Sequence, residues 1–187
     1  MREASFARTL PTPAGPLRIH GEGGRLTRIE FVNREPNVAT QPEAGPAPAP
    51  GSATAPAPDP ATGPAPDEAT GRLLDEAERQ LTAYFRGERT SFELPLAPTG
   101  TPFQEAVWGA LRTIPPGETL SYGALAARID RPGAARAVGS ACGRNPLPIV
   151  VPCHRVVGSN GHLGGFGGGL DWKRYLLALE AAPLPDS

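Results

Sequence analysis

Cys153 and His154 stand side by side inside Asn145-Pro-Leu-Pro-Ile-Val-Val-Pro-Cys-His-Arg-Val-Val-Gly158, at the end of a short apolar run closed by prolines. Those two residue types can supply a sulfur nucleophile and its base. A free thiol ionises near pH ~8.5 and is only a few per cent thiolate at neutral pH, so a neighbouring base is what makes it reactive. In an unbroken strand, adjacent side chains point to opposite faces. Cooperation therefore requires the backbone to turn around the pair, and Pro152 makes such a turn plausible. The competing reading is a buried structural cysteine, since free cysteine is among the most buried residue types. A metal site built from Cys142, Cys153, His154 and His162 matches no common zinc spacing. No metal and no cofactor is expected.

The elements that must position this pair are legible from periodicity. Phe6 to Val32 alternates apolar and polar residues between Gly and Pro punctuation and reads as a small antiparallel meander. From 36 to 71 the chain turns Pro/Ala/Gly/Thr-rich, with ten of its 24 prolines, and reads as a disordered insertion that cannot bury enough surface to offset ordering. A helix is expected from Arg72 to Phe85, with Leu73, Leu74, Ala77, Leu81 and Tyr84 on one face, followed by an extended Phe92–Leu96. Prolines and glycine around Pro98–Pro102 mark a boundary, which gives an N-terminal domain over 1–98 and a second domain over 99–187. The second domain opens with a helix from Phe103 to Ile114, stopped by Pro115-Pro-Gly117. Ser121 caps a third helix to Ile129, and Ala134–Cys142 is a fourth made of small residues. The last two read either as a DNA-binding helix-turn-helix or as a helical hairpin that binds nothing. The fold class is α+β: a small N-terminal domain with an antiparallel sheet and a mainly helical C-terminal domain.

Charge and cysteine content bound the partners. The net charge is −1, yet Thr101–Arg174 carries eight basic residues against four acidic ones, which suits phosphate contacts or an ordinary solvated surface. Two cysteines make no disulfide framework, and neither a charged-then-apolar leader nor a long apolar span is present. Reducing cytoplasm, with no membrane association, is the expected location. The run Ser159-Asn-Gly-His-Leu-Gly-Gly-Phe-Gly-Gly-Gly169 lacks the Gly-Lys-Ser/Thr ending of a phosphate loop.

Taken in order, Ser121-Tyr122, Ala135-Arg-Ala-Val-Gly139, Asn145-Pro146, Pro152-Cys-His-Arg-Val156, Gly168-Gly-Leu170 and Leu176-Leu-Ala-Leu-Glu180 resemble the O6-alkylguanine-DNA alkyltransferases, also called methylated-DNA-protein-cysteine methyltransferases. The resemblance runs from about Phe103 to Glu180, with a winged-helix-like helix-turn-helix implied for that half. It implies a monomer that binds double-stranded DNA containing O6-alkylguanine and moves the alkyl group irreversibly to its own Cys153. O4-alkylthymine is a second implied substrate. His154 would be the base, acting through a water molecule, with Glu180 orienting its imidazole and Asn145 bonding across the hinge before the nucleophile. Arg136 would fill the space of the extruded nucleotide, and Tyr122 would crowd its phosphate and read the base edge, with Ser159 also on the DNA. The implied base pocket comprises Tyr122, Pro148, Val156, Phe166 and Gly167, the last two walling the guanine and offering a backbone N–H toward O6. Some relatives carry tyrosine in place of Phe166 and serine in place of Gly167, so those hydroxyl contacts are missing here. Some also hold zinc in the N-terminal domain, for which His20 and carboxylates are the only candidate ligands in residues 1–100. Two rival functions remain: a cysteine hydrolase, and a noncatalytic or regulatory relative that only binds alkylated DNA.

Overall fold

The computed structural model describes residues 5–32 and 67–181. Strands β1 (Phe6–Leu10), β2 (Leu17–Glu22) and β3 (Arg25–Phe31) form the antiparallel meander in the order β1-β2-β3, with Ile19 opposite Arg8 on one side and Ile29 on the other. Its inner face buries Leu17, Ile19, Leu26 and Ile29. Helix α1 (Glu68–Phe85) covers that face with Leu73, Leu74, Ala77 and Leu81. The helix comes so close that a Cβ at Gly21 would stand 3.0 Å from Leu73 Cδ2 and 3.1 Å from Thr70 Cγ2, which is why a glycine occupies β2 there.

The expected insertion lies outside the described residues up to 66, and its last part needs correction. Helix α1 starts at Glu68 rather than Arg72 because the Asp67 carboxylate accepts from the Thr70 backbone N–H at 2.8 Å and caps it. The extended Phe92–Leu96 makes only a single parallel bridge, Leu26 to Leu96. Pro95, which cannot donate, contributes its carbonyl to Leu26 N at 2.8 Å.

The C-terminal domain opens with α2 (Pro102–Leu111), where Thr101 and Gln104 form a reciprocal capping box. The regular helix ends at Leu111, short of Ile114. Trp108 is buried and donates its indole N–H to Ala141 O at 3.0 Å. A two-residue strand β4 (Leu120–Ser121) leads into α3 (Tyr122–Arg128), capped by Ser121 Oγ on Ala124 N. The turn to α4 (Ala135–Gly143) uses left-handed Asp130 and Gly133. Val138, Ala141 and Cys142 face α2 and α3, leaving Arg136 and Ala137 exposed.

The apolar run after α4 is not a strand. Asn145 turns the chain, Val151 N bonds back to Leu147 O at 2.8 Å, and Ile149 takes a left-handed φ of 77°. For a β-branched residue that conformation costs on the order of 1–3 kcal/mol, which the surrounding packing must offset. A 3₁₀ turn (Cys153–Arg155) follows, then β5 (Val156–Val157), which pairs in parallel with β4. Helix α5 (Leu170–Leu179) closes the chain. The two domains meet through aromatic rings: Phe31 of β3 packs on Trp172 of α5 at 4.8 Å and on Phe166 at 5.5 Å.

Candidate active site

Pro152 resolves the alternation problem posed by adjacent Cys153 and His154. With φ −80° and ψ 64° and a Cys153 N to Val151 O bond of 2.8 Å, it centres an inverse γ-turn that leads directly into the 3₁₀ turn. Three consecutive side chains, Cys153, His154 and Arg155, are all buried in this turn. Asn145 holds this turn from the other side. Its Nδ2 donates to Val151 O at 2.8 Å and to Cys153 Sγ at 3.2 Å, while its Oδ1 accepts from Leu147 N at 3.0 Å.

His154 Nε2 lies 3.1 Å from Glu180 Oε1, so the pairing that required tertiary folding is formed. Glu180 sits at the end of α5 and its side chain is 1% exposed. Arg155 grips it bidentately, Nε on Oε2 at 2.8 Å and Nη2 on Oε1 at 2.7 Å, and Arg155 Nη1 also donates to Ile114 O. Tyr84 of α1 donates its hydroxyl to Oε1 at 2.7 Å, so the N-terminal domain reaches into the site. Burial pushes the Glu180 carboxyl upward, but bonds from His154 and Arg155 outweigh it and hold the group at about 2. Burial also pushes His154 below the usual imidazole range, against the pull of Glu180. The resting imidazole is therefore neutral, and Arg155 supplies the counter-charge of Glu180. With the Nε2 proton on Glu180, Nδ1 is a bare lone pair, buried and without a hydrogen-bond partner among the described residues. That is the form a general base must have.

Burial pushes the Cys153 thiol up to about 11, opposed by the Asn145 hydrogen bond and the charge of Lys173. The resting sulfur is a thiol whose proton must be taken away. Lys173 of α5 is fully buried and donates to Val156 O at 2.7 Å and Gly164 O at 3.2 Å.

A cavity of about 840 Å³ opens between α3, α4 and the glycine-rich loop, lined by Tyr122, Arg136, Gly139, Ser159, Phe166 and Gly167 among others. Its volume falls within the usual range for small-ligand pockets, roughly 300–1,000 Å³. Tyr122 is squeezed between helix and loop: a Cβ at Gly139 would lie 3.8 Å from its ring, and one at Gly164 only 2.9–3.0 Å from Cε2 and Cζ. Phe166 is edge-on to His154 at 6.4 Å and so joins the cavity wall to the base. Val156 is fully buried in β5, and Pro148 lines a second cavity of about 630 Å³ that shares Gly143 and Gly167 with the first. Cys142 is buried in α4 with its thiol pushed up to about 12 by desolvation, while His162 is exposed on the loop. Among the described residues no group of three or more His, Cys, Asp or Glu gathers as a metal site.

Sequence reasoning passed over Tyr84, Arg155 and Lys173. Arg155 and Lys173 read as surface charge, and only their place next to Pro152-Cys-His and in a helix of otherwise apolar inward positions hints at burial. Nothing in the sequence near Tyr84 distinguishes it from a core aromatic.

Fold and site together define a two-domain α+β protein in which a slim helix pair borders a cavity beside a buried Cys, His and Glu. Residues 102–182 match the DNA binding domain of 6-O-methylguanine DNA methyltransferase, and residues 6–98 match the ribonuclease-like domain of the same proteins. The chain belongs to the 6-O-methylguanine DNA methyltransferase family. It is 44% identical over 180 residues to the methylated-DNA–protein-cysteine methyltransferase of Mycobacterium bovis, covering 95% of this chain and 93% of the relative. The Methanosarcina acetivorans protein of the same name is 58% identical over 104 residues, covering 56% of this chain and 67% of that one. The crystal structure of Mycobacterium tuberculosis O6-methylguanine methyltransferase superposes with a TM-score of 0.73 at 43% identity, covering 96% of each chain. A second, of Mycobacterium tuberculosis OGT in complex with DNA, gives 0.72 at 43% identity and also covers 96% of each chain.

Proposed function

We propose that this protein repairs DNA by direct reversal, taking the methyl group from O6-methylguanine in a duplex onto Cys153 in a single, irreversible transfer. The observation that carries this reading is the closed arrangement of Asn145 on Cys153 Sγ and Glu180 on His154 Nε2, next to a cavity walled by α4. The damaged nucleotide leaves the stack, at a cost of a few kcal/mol, and enters that cavity. Arg136, exposed on α4, occupies the space left in the duplex, and the small residues of α4 let it approach the groove. Tyr122 and Ser159 contact the nucleotide at the rim, and Phe166 and Gly167 wall the base.

The proton balance closes within the site. His154 Nδ1 takes the thiol proton across one water molecule, and Glu180 stabilises the imidazolium. The sulfur attacks the methyl carbon, the C–O bond breaks, and the electron pair stays on guanine O6. The leaving base takes up the proton, so guanine is restored and the thiol becomes a thioether. A cysteine hydrolase would need water to resolve its intermediate, and a thioether offers no comparable route. Binding alone does not account for a buried His154 Nδ1, unpartnered among the described residues, next to a thiol held by Asn145. O4-alkylthymine presents a similar alkyl–oxygen bond and is a second substrate. No helix among the described residues is long and apolar enough to cross a membrane. A reaction that consumes a reduced thiol on DNA belongs in the cytoplasm, and no feature of the mechanism requires a second subunit. The test is transfer of a labelled methyl group from duplex O6-methylguanine: label appears on wild-type protein and not on Cys153→Ser, whereas labelling of the variant refutes the assignment.

A further inference from the structure

Lys173 is 0% exposed, yet among the described residues no carboxylate lies within ion-pair distance of its ammonium. Burying an unpaired ammonium is costly, and two carbonyl oxygens solvate it without neutralising it. Of the acidic side chains on α5, Asp171 is exposed and pairs with Arg174, and Glu180 at the helix end already serves Arg155, His154 and Tyr84. Burial pushes the Lys173 ammonium down, opposed by the charge that Cys153 first and Cys142 second carry as thiolates. Tyr122 presents its ring 6.0 Å away, and His154 on the neighbouring turn is neutral. Cys153 alone of the two thiols is an acceptor of the Asn145 amide, which favours its ionised form.

We propose that Lys173 is the counter-ion of the Cys153 thiolate, a positioning residue whose ammonium is fixed by Val156 O and Gly164 O so that negative charge on sulfur is met when the proton leaves. This rests on Cys153 being the nucleophile, but it concerns the thiol alone and not the DNA. The two carbonyls keep the charge in place: Val156 follows the nucleophile's turn directly, and Gly164 lies under Tyr122 at the cavity wall. The titratable groups whose charge couples to Cys153 are Lys173 from α5, Cys142 from α4 and Tyr122 from α3, and His154 adjoins it in the same turn. Among them Lys173 is the group whose charge favours the thiolate.

The test is the pH dependence of Cys153 alkylation by iodoacetamide, which needs neither DNA nor the base cavity, with peptide mapping to separate Cys153 from Cys142. Lys173→Gln keeps a donor for the carbonyls and removes the charge. The expected result is a midpoint raised by about one pH unit or more and a rate at pH 7 lowered about tenfold, with the two proteins converging at alkaline pH. An unchanged midpoint, with or without a uniform loss of rate, means Lys173 is only a strap for the loop and overturns the proposal. If Lys173→Gln does not fold, the reciprocal experiment uses Cys153→Ala and the NMR titration of the Lys173 ammonium. Coupled sites must shift each other, so the ammonium should lose its proton at lower pH than in wild type, and an unshifted titration contradicts the pairing. A protein that passes this test but fails to take methyl from DNA would sink the proposed function alone.

Discussion

At the residue scale, the account turns on Glu180 as a buried anion shared by three donors. Removing its charge leaves Arg155 buried without a counter-ion, which costs about 3 kcal/mol by analogy with broken buried pairs. For a domain of this size that corresponds to roughly 6–12 °C of melting temperature. Glu180→Gln should therefore melt lower and, at a temperature where it is folded, transfer methyl about a hundredfold more slowly, the usual range for losing general-base assistance. A transfer rate equal to wild type would remove the His154–Glu180 pair from the mechanism. The acid limb of stability carries a second signature. His154 is depressed in the folded state, so the unfolded chain binds more protons and stability falls as pH drops below about 6.5. Glu180 is depressed from 4.5 to about 2, so its contribution is full above 4.5 and is lost as pH falls toward 2. Melting temperature against pH should show that lower step in wild type and not in Glu180→Gln. Gly164→Ala tests the cavity wall: the added methyl would overlap Tyr122, so methyl transfer should slow with little change in melting temperature, and an unaffected rate would mean Tyr122 does not shape the pocket.

At the element scale, α4 is the claim to test. Arg136→Ala should slow repair of duplex O6-methylguanine far more than reaction with the free modified base, because only the duplex has a stack to open. Equal losses on both substrates would contradict extrusion by this helix. The helices themselves were legible because their caps and apolar faces are written locally: Ser121 before α3, Thr101 before α2, and Leu73, Leu74, Ala77 and Leu81 along α1. Asp67 was an available cap too, but the proline-rich composition around it masked the helix start at Glu68. The stretch from Asn145 to Pro152 could not be read this way. Its apolar residues suggest a strand, and what bends it is a set of nonlocal facts, the Asn145 amide reaching Val151 and Cys153 and the left-handed Ile149.

At the scale of the whole molecule, the N-terminal domain is part of the reactive site and not only a neighbour of it. Tyr84 bonds Glu180 from one side, and Phe31 backs Phe166, which in turn packs on His154. Periodicity placed Tyr84 on the inner face of α1 but could not say that a carboxylate more than ninety positions away would meet its hydroxyl. The family resemblance paired His154 with Glu180, whereas Arg155 as the counter-charge and Lys173 as a buried cation emerge only when the chain is folded. Packing also links chemistry to stability. Cys153 is 5% exposed in a dense core, so an added methyl overpacks it, typically by about 1–3 kcal/mol. The methylated protein should melt several degrees below the unmodified one, roughly 2–4 °C per kcal/mol, and an unchanged melting temperature would show that the thioether is accommodated without strain.

The central claim is that Cys153 reacts once and is consumed. Intact-protein mass after incubation with excess duplex O6-methylguanine measures this directly, combined with a count of guanines restored. The account predicts one added methyl group per chain, mapped to Cys153, with restored guanine equal to protein and no more however long the incubation. Guanine restored in excess of protein, or a methyl group found on any other residue, would contradict it.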